Sequence, residues 1–362
     1  MINLKSLLFS TIFLLVISQS SCVFFEKNPE DIRNELLLNG LTEPRFAEVE
    51  LRITIRNVTV LQGNELIVSN REKGIPDNTP PTLKIWCSQP QDYINQKDVR
   101  LLYTSPEPDQ KFTDKTNGNL IFYRDLANKL KTGDSIVISA RYKYTAYNYT
   151  SPPELLKNNQ STYYDNGYER FLKQEDFIEL SDSIKSKSNM IVGSEKDPHL
   201  KAKLIYNWVR DNMKYAYPVL KRSAAEALRS CTGDCGQYSY LFIALCRSAT
   251  IPSRLVSGFM IAPDTASYHV WSEIQLPGLG WLPVDCTDKN GFLNLDNRRL
   301  VTSRGMNIPL TNVPLWANYQ NSEANGKEGK TDFMQLATVV MSGMKAEIRT
   351  QRLIIAINRE NK

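Results

Sequence analysis

The chain has 362 residues, of which 41% are hydrophobic and 23% charged, and its formal net charge is +5. That length fits two or three domains, and the balance is ordinary for a globular protein. The positive charge is scattered rather than gathered into a long Lys/Arg run, which excludes the basic stripe that a nucleic-acid partner needs.

The N-terminus reads "MINLKSLLFSTIFLLVISQSSC": Lys5, an apolar stretch over 7–17, then small polar residues ending at Cys22. This is the order of a secretory signal, and the stretch falls short of the ~20 residues of a bilayer span. Cys22 directly after "SQSS" resembles a bacterial lipoprotein processing site, although Gln19 stands where such sites usually carry leucine. The resemblance implies an exported cell-envelope protein, anchored to the membrane by a lipid on Cys22; a plain cleaved signal or an uncleaved anchor is the alternative. Five cysteines then remain (Cys87, Cys231, Cys235, Cys246 and Cys286), an odd number, so at least one thiol stays unpaired in an oxidising compartment. Sequons at Asn57, Asn148 and Asn159 would matter only in a eukaryotic secretory pathway.

Residues 1–22 are therefore read as the signal and 23–45 as a polar tether with one short helix, "PEDIRNELLLNG". From 46 to 150 the pattern is all strand: "AEVELRITIRNVTVL" alternates polar and apolar residues, and four further strands follow between Asn, Asp, Gly and Pro clusters. Such spacing predicts a β-sandwich of immunoglobulin type, with Cys87 in its core. A helical connector, 151–195, leads into 196–305, where Leu200, Leu204, Trp208 and Val209 share one face of a helix that opens on Pro198. Strands "SRLVSGFMIA", "YHVWSEIQL" and "GWLPVDCT" come next, so this region reads as α+β. The extension 306–362 carries an irregular stretch and two more strands.

Within the α+β region lies "CTGDCGQYSYLFIALCRSA", 231–249. Cys235 falls at a helix start, with Tyr238, Leu241, Phe242 and Leu245 on one face beyond it; free N–H groups and the positive dipole end favour a thiolate there. Thiol catalysis also needs a base and a group that orients the base. Of the two histidines, His199 begins a helix and reads as a surface or capping residue, whereas His269 sits beside Trp271 on one strand face. Asp285, across a hairpin turned by "PGLG", is placed to fix the imidazole's tautomer.

The order Cys235, His269, Asp285, within "GDCGQYSYLFIALCRSATIPSRLVSGF", "YHVWSEI" and "GWLPVDCT", resembles the transglutaminase-like superfamily over 201–304. The resemblance implies a papain-like α+β core behind the sandwich. It makes Cys235 the nucleophile, His269 the base and Asp285 the orienting carboxylate, and it calls for no cofactor. Cys286 departs from the pattern, standing where the family commonly has proline. Arg254 matches a recurring family position and is read as structural.

If the triad converges, Cys231 and Cys286 approach each other, and a disulfide between them would brace the site. A zinc site built from Cys231, Cys235, His269 and Cys286 is the competing arrangement, but its spacing is that of no common zinc ribbon or finger. The Cys235 N–H would serve an oxyanion hole, with Tyr217 or Trp208 as open choices for a second donor. The sequence thus points to an exported thiol enzyme acting on amide bonds of a protein or peptide, hydrolysis being favoured over transfer to an amine. The alternative is a non-catalytic scaffold that binds protein or glycan at the cell surface.

Overall fold

The computed structural model describes residues 29–157, 161–317 and 328–359; the signal-like segment with Cys22, and Asn159, lie outside them. In chain order, helix α1 (Pro29–Asn39) precedes the long strand β1 (Leu41–Val60), followed by α2 (Gly63–Glu72), β2 (Thr82–Ser88), β3 (Gln96–Ser105), β4 (Gln110–Thr113), β5 (Leu120–Asp125) and β6 (Ile136–Thr150). The alternation in β1 does what its sequence dictates: Ala47, Val49, Leu51, Ile53 and Ile55 are buried in an apolar core. On its other face Glu50 accepts hydrogen bonds from Arg52, Arg141 and Tyr103. Helix α2 interrupts a stretch that reads as all strand. Its apolar triplet "LIV" is too short for periodicity to choose between helix and strand. What fixes the turn after it is Asn70, buried, whose amide donates to Thr79 O at 2.8 Å.

The middle of the chain holds α3 (Pro153–Lys157), α4 (Asp182–Val192), α5 (Pro198–Asn212), β7 (Lys214–Tyr215), α6 (Ala224–Ser230), β8 (Thr232–Gly233), α7 (Cys235–Ser248), β9 (Ser253–Ile261), β10 (Ala266–Leu276), β11 (Gly280–Val284), β12 (Asn294–Leu295) and β13 (Arg299–Arg304). Strands β9, β10, β11 and β13 form one antiparallel sheet in the order β11-β10-β9-β13. Helix α7 lies between that sheet and α4, α5 and α6, so every residue from Gly236 to Arg247 is buried. Periodicity had marked it as amphipathic; enclosure on all sides removes the solvent face. Arg247 survives there because Lys173 O, Ser253 O and Glu175 satisfy its guanidinium.

Helix α5 starts where expected, with Pro198 in its first turn and Asp197 accepting from the His199 N–H at 2.7 Å. Its inward face differs from the expected one. Ala202, Ile205, Tyr206 and Val209, equally spaced at helical intervals, are buried, while Leu200 and Leu204 are exposed. Tyr206 wins this competition partly because its hydroxyl donates to Asp288 O at 2.6 Å.

The remaining strands are β14 (Ile308–Thr311), β15 (Glu328–Thr331), β16 (Ala337–Ser342) and β17 (Met344–Arg359). β14 and β15 pair only with each other, whereas β16 and β17 join strands from the front of the chain. β17 pairs along β1 in a sheet ordered β12-β6-β1-β17, to which β3 adds through β6, and β16 pairs with β2 in a sheet ordered β16-β2-β5-β4. These two sheets share an apolar core with Leu51, Ile53, Leu83, Ile85 and Ile138, and Phe259, Ile261 and Leu300 of the middle sheet join it. The strands of 46–150 thus do not close their two-sheet layer alone; they borrow from the tail and abut the α+β core. No helix among the described residues is long and apolar enough to cross a membrane.

Candidate active site

Cys235 is the first residue of α7. Asp234 caps the helix, its carboxylate accepting from the Gln237 N–H at 3.2 Å and from Arg222 in an ion pair of 2.5 Å. Glycines flank this turn for lack of room: a Cβ on Gly236 would meet Arg222 Nη1 at 2.7 Å, and one on Gly233 would meet Gln237 Cβ at 2.2 Å. The first-turn N–H groups of a helix have no intrahelical partner, so the Cys235 N–H is free of the helix's own ladder. Buried Gln237 accepts from Ser223 N at 3.0 Å and donates to Lys221 O at 3.3 Å. At the other end of that loop, Lys214 N and Ala216 N donate to Cys231 O and Gly233 O. The loop 214–222 is therefore pinned to the Cys235 turn on both sides, and between the pins Tyr215, Tyr217 and Leu220 project into solvent.

His269, Trp271 and Glu273 share one face of β10. Nε2 of His269 lies 2.7 Å from Asp285 Oδ2, which leaves Nδ1 unengaged by that carboxylate, and the Cys235 side chain is near enough to strengthen the ring's hold on its proton. The ring stacks on Trp271 at 5.8 Å and is 14% exposed, while Cys235 is partly accessible. Burial works against the imidazolium. The Asp285 charge and hydrogen bond, with a smaller contribution from the Cys235 side chain, outweigh burial and push the imidazole up to about 9, Arg299 pulling the other way.

Asp285 follows β11, whose hairpin with β10 pairs Leu276 with Gly280 across a turn with φ of 68° at Gly278 and 72° at Gly280. Its Oδ1 accepts from the backbone and hydroxyl of Thr287 at 3.0 and 2.6 Å, and its Oδ2 takes both His269 and Arg299 Nη1, each at 2.7 Å. Burial would raise this carboxyl, but His269 and Arg299 beside it, and the hydrogen bonds from His269 and Thr287, hold it well below the usual carboxylate range. The structure thus brings together the three residues singled out in sequence.

It does not join the flanking cysteines. Cys231 and Cys286 are both free thiols, so the disulfide anticipated between them is not formed. Cys231 ends α6 in a left-handed turn, φ 51°, with its thiol turned to Leu228 O. Cys286 instead points into the α5–α7 core, where burial first, then Asp285 and Cys246 nearby, push its thiol well above the ordinary range. Cys87, also free, sits in the two-sheet core and is pushed by burial up to about 11. Among the described residues no three His, Cys, Asp or Glu side chains gather as a metal site. His199 packs against Phe292 at 5.6 Å, and Trp208 lies under the Lys187 ammonium at 5.1 Å. Arg254 pairs with buried Glu273, which also accepts from Tyr93 OH at 2.8 Å, and its guanidinium lies 4.1 Å from the Trp281 ring centroid.

Two contributors had no sequence signal strong enough to find them. Arg299 stands in the run "NRRL", where composition cannot tell the buried arginine from its exposed neighbour Arg298. Gln335 donates to His269 O at 3.1 Å from a tail segment with no motif around it.

Residues 185–286 match the family model described as the transglutaminase-like superfamily. A Haemophilus influenzae protein described as uncharacterized is 27% identical over 168 residues, which cover 39% of this chain and 44% of that one. The chain thus spans less than half the length of that curated relative. A structure from Cytophaga hutchinsonii, described as a candidate cysteine protease, superposes with a TM-score of 0.53 at 14% identity, over 87% of this chain and 92% of its own. The periplasmic domain of TgpA from Pseudomonas aeruginosa is 15% identical over 72% of this chain and 94% of its own, with a TM-score of 0.34.

Proposed function

Residues 185–286 place this chain in the transglutaminase-like superfamily, and from that premise we propose that it is a thiol acyl-transfer enzyme, a cysteine peptidase or amidase rather than a transglutaminase. One observation carries the reading: His269 is held at 2.7 Å by the ionised Asp285, and the Cys235 side chain at the start of α7 influences the same imidazole. In the first step the Cys235 sulfur bonds to an amide carbonyl carbon, and the oxyanion is met by the Cys235 N–H. His269 gives its proton to the amine nitrogen as the C–N bond breaks, leaving a thioester. Water then bonds to the acyl carbon and passes a proton to His269, and the C–S bond breaks to free the acid and the thiolate. Asp285 holds the imidazole in the tautomer both steps need.

The test begins with the thiol. Cys235 should be alkylated by iodoacetamide at pH 6–7 at least about tenfold faster than Cys231, and His269→Ala should abolish the difference. A peptide library and a labelled primary amine then separate hydrolysis from transfer; amine incorporation exceeding hydrolysis would reverse the preference. A Cys235 no more reactive than Cys231 would favour a binding scaffold. We read the two-sheet layer as a partner- or substrate-contacting module; Arg100→Glu together with Lys143→Glu, both exposed on that layer, should raise KM more than it lowers kcat. We also propose export with a lipid on Cys22; labelling with tritiated palmitate, unchanged in a Cys22→Ser variant, would refute the anchor.

A further inference from the structure

Beyond the family match, which ends at Cys286, one buried charge touches the site. Arg299 opens β13 and is 2% exposed. Its Nη1 lies 2.7 Å from the same Asp285 oxygen that takes His269, its Nη2 lies 3.8 Å from Asp296, and its guanidinium lies 5.1 Å from the ring centroid of Trp271, the ring on which His269 stacks. Asp296, Arg299, Asp285, His269 and Cys235 therefore make one file of groups in which acid and base alternate.

We propose that Arg299 is a positioning residue for the acyl-transfer site, fixing the Asp285 carboxylate against His269 and restraining how strongly His269 holds its proton. The role rests on the enzymatic reading above, because the proton affinity of His269 matters only if it exchanges protons with Cys235 and substrate. Its physical basis is a shared acceptor. One carboxylate oxygen between two cations is fixed in direction more narrowly than by either alone. A cation on the far side also weakens the field that holds the imidazolium. A base bound too strongly to its proton is a poor general base in the second step, so the restraint serves deacylation.

The groups facing the imidazole–carboxylate pair come from three elements. α7 offers Cys235, the end of β11 offers Asp285 with Cys286 behind it, and β13 offers Arg299 with Asp296 at its back. Of these only Arg299 is a permanent cation, since a guanidinium keeps its proton throughout the working range.

The turn that delivers Arg299 is itself held by the β-rich layer. Asn95 donates to Asp296 O at 3.2 Å, Asn297 N donates to Asn148 Oδ1 at 2.8 Å, and Arg45 donates to Asn297 O at 3.3 Å. This arginine is thus one point at which the layer reaches the proposed catalytic pair.

The experiment is an NMR titration of the His269 ring in the full soluble chain, wild type against Arg299→Met and Asp296→Asn, with iodoacetamide kinetics on Cys235 alongside. Arg299→Met should raise the His269 midpoint by about half a pH unit or more and keep Cys235 alkylation at pH 6–7 at or above the wild-type rate, because a more readily protonated imidazole favours the thiolate; a smaller or downward midpoint shift overturns the proposal. Asp296→Asn, which frees Arg299 from its second anion, should lower the midpoint. A variant that raised it, or left it unmoved, would point to loosened packing and also overturn the proposal. If the methionine variant does not fold, the asparagine variant, at a site a quarter exposed, decides alone. The two failures stay separate: a wild-type Cys235 no more reactive than Cys231 sinks the enzymatic reading, whereas the His269 midpoints test Arg299 whatever the thiol does.

Discussion

At the level of single residues, the pair His269–Asp285 makes a prediction about pH. Folding raises His269 from about 6.5 to about 9, so the folded state binds the proton more tightly than the unfolded chain. Its stabilising contribution is complete below pH ~6.5 and is lost as pH climbs through ~9. Between those limits the unfolding free energy should fall by about 3 kcal/mol, at 1.36 kcal/mol per unit. Asp285→Asn should flatten that alkaline decline, which urea melts at pH 6, 7.5 and 9 would check. Asp285 itself adds the opposite slope: held low by folding, it contributes stability that disappears only in strong acid. All three proposed catalytic residues were legible in sequence because each sits in a short, ordered motif. Arg299 was not, since its proximity to Asp285 is created by a turn clamped from the β-rich layer, and nothing local in "NRRL" encodes that clamp.

At the level of elements, α7 shows what periodicity can and cannot reveal. The helix and its start were readable from Gly233, Asp234 and Gly236; its full burial was not, because the helices and strands that enclose it come from distant stretches of chain. Asp234 joins two jobs, capping the helix and pairing with Arg222. Asp234→Ala should cost about 1–2 kcal/mol in denaturant melts and slow Cys235 alkylation, because the thiol's turn loosens with the cap. Glu273→Gln weakens a buried pair between β9 and β10 by discharging one partner and leaving Arg254 uncompensated, and should cost about 3–5 kcal/mol. In α5 the face of Leu200 and Leu204 stood out in sequence, but Ala202, Ile205 and Tyr206 share the same helical spacing, and the Tyr206–Asp288 hydrogen bond helps turn them inward. α2 was lost to the sequence for the opposite reason, too few residues to establish any period.

Over the whole molecule, the β-rich layer is built from both flanks of the α+β core. β1 is paired by β17 on one side and β6 on the other, and β2 by β16. A truncation at 343 should leave an unpaired edge along β1, and the protein should move from the soluble to the pelleted fraction on expression. An intact soluble truncation would show that β17 is dispensable. This exchange of strands was hidden from sequence reading because strand partners hundreds of residues apart leave no local trace. The Gln335 contact to the His269 backbone extends the same arrangement into the site. Arg45, Asn95 and Asn148 reach it from the front of the chain, and Gln335 from behind. A growing chain therefore carries the Cys235 thiol before Arg299 and Gln335 exist, so the surroundings of that thiol are complete only once the tail has been made and has folded back.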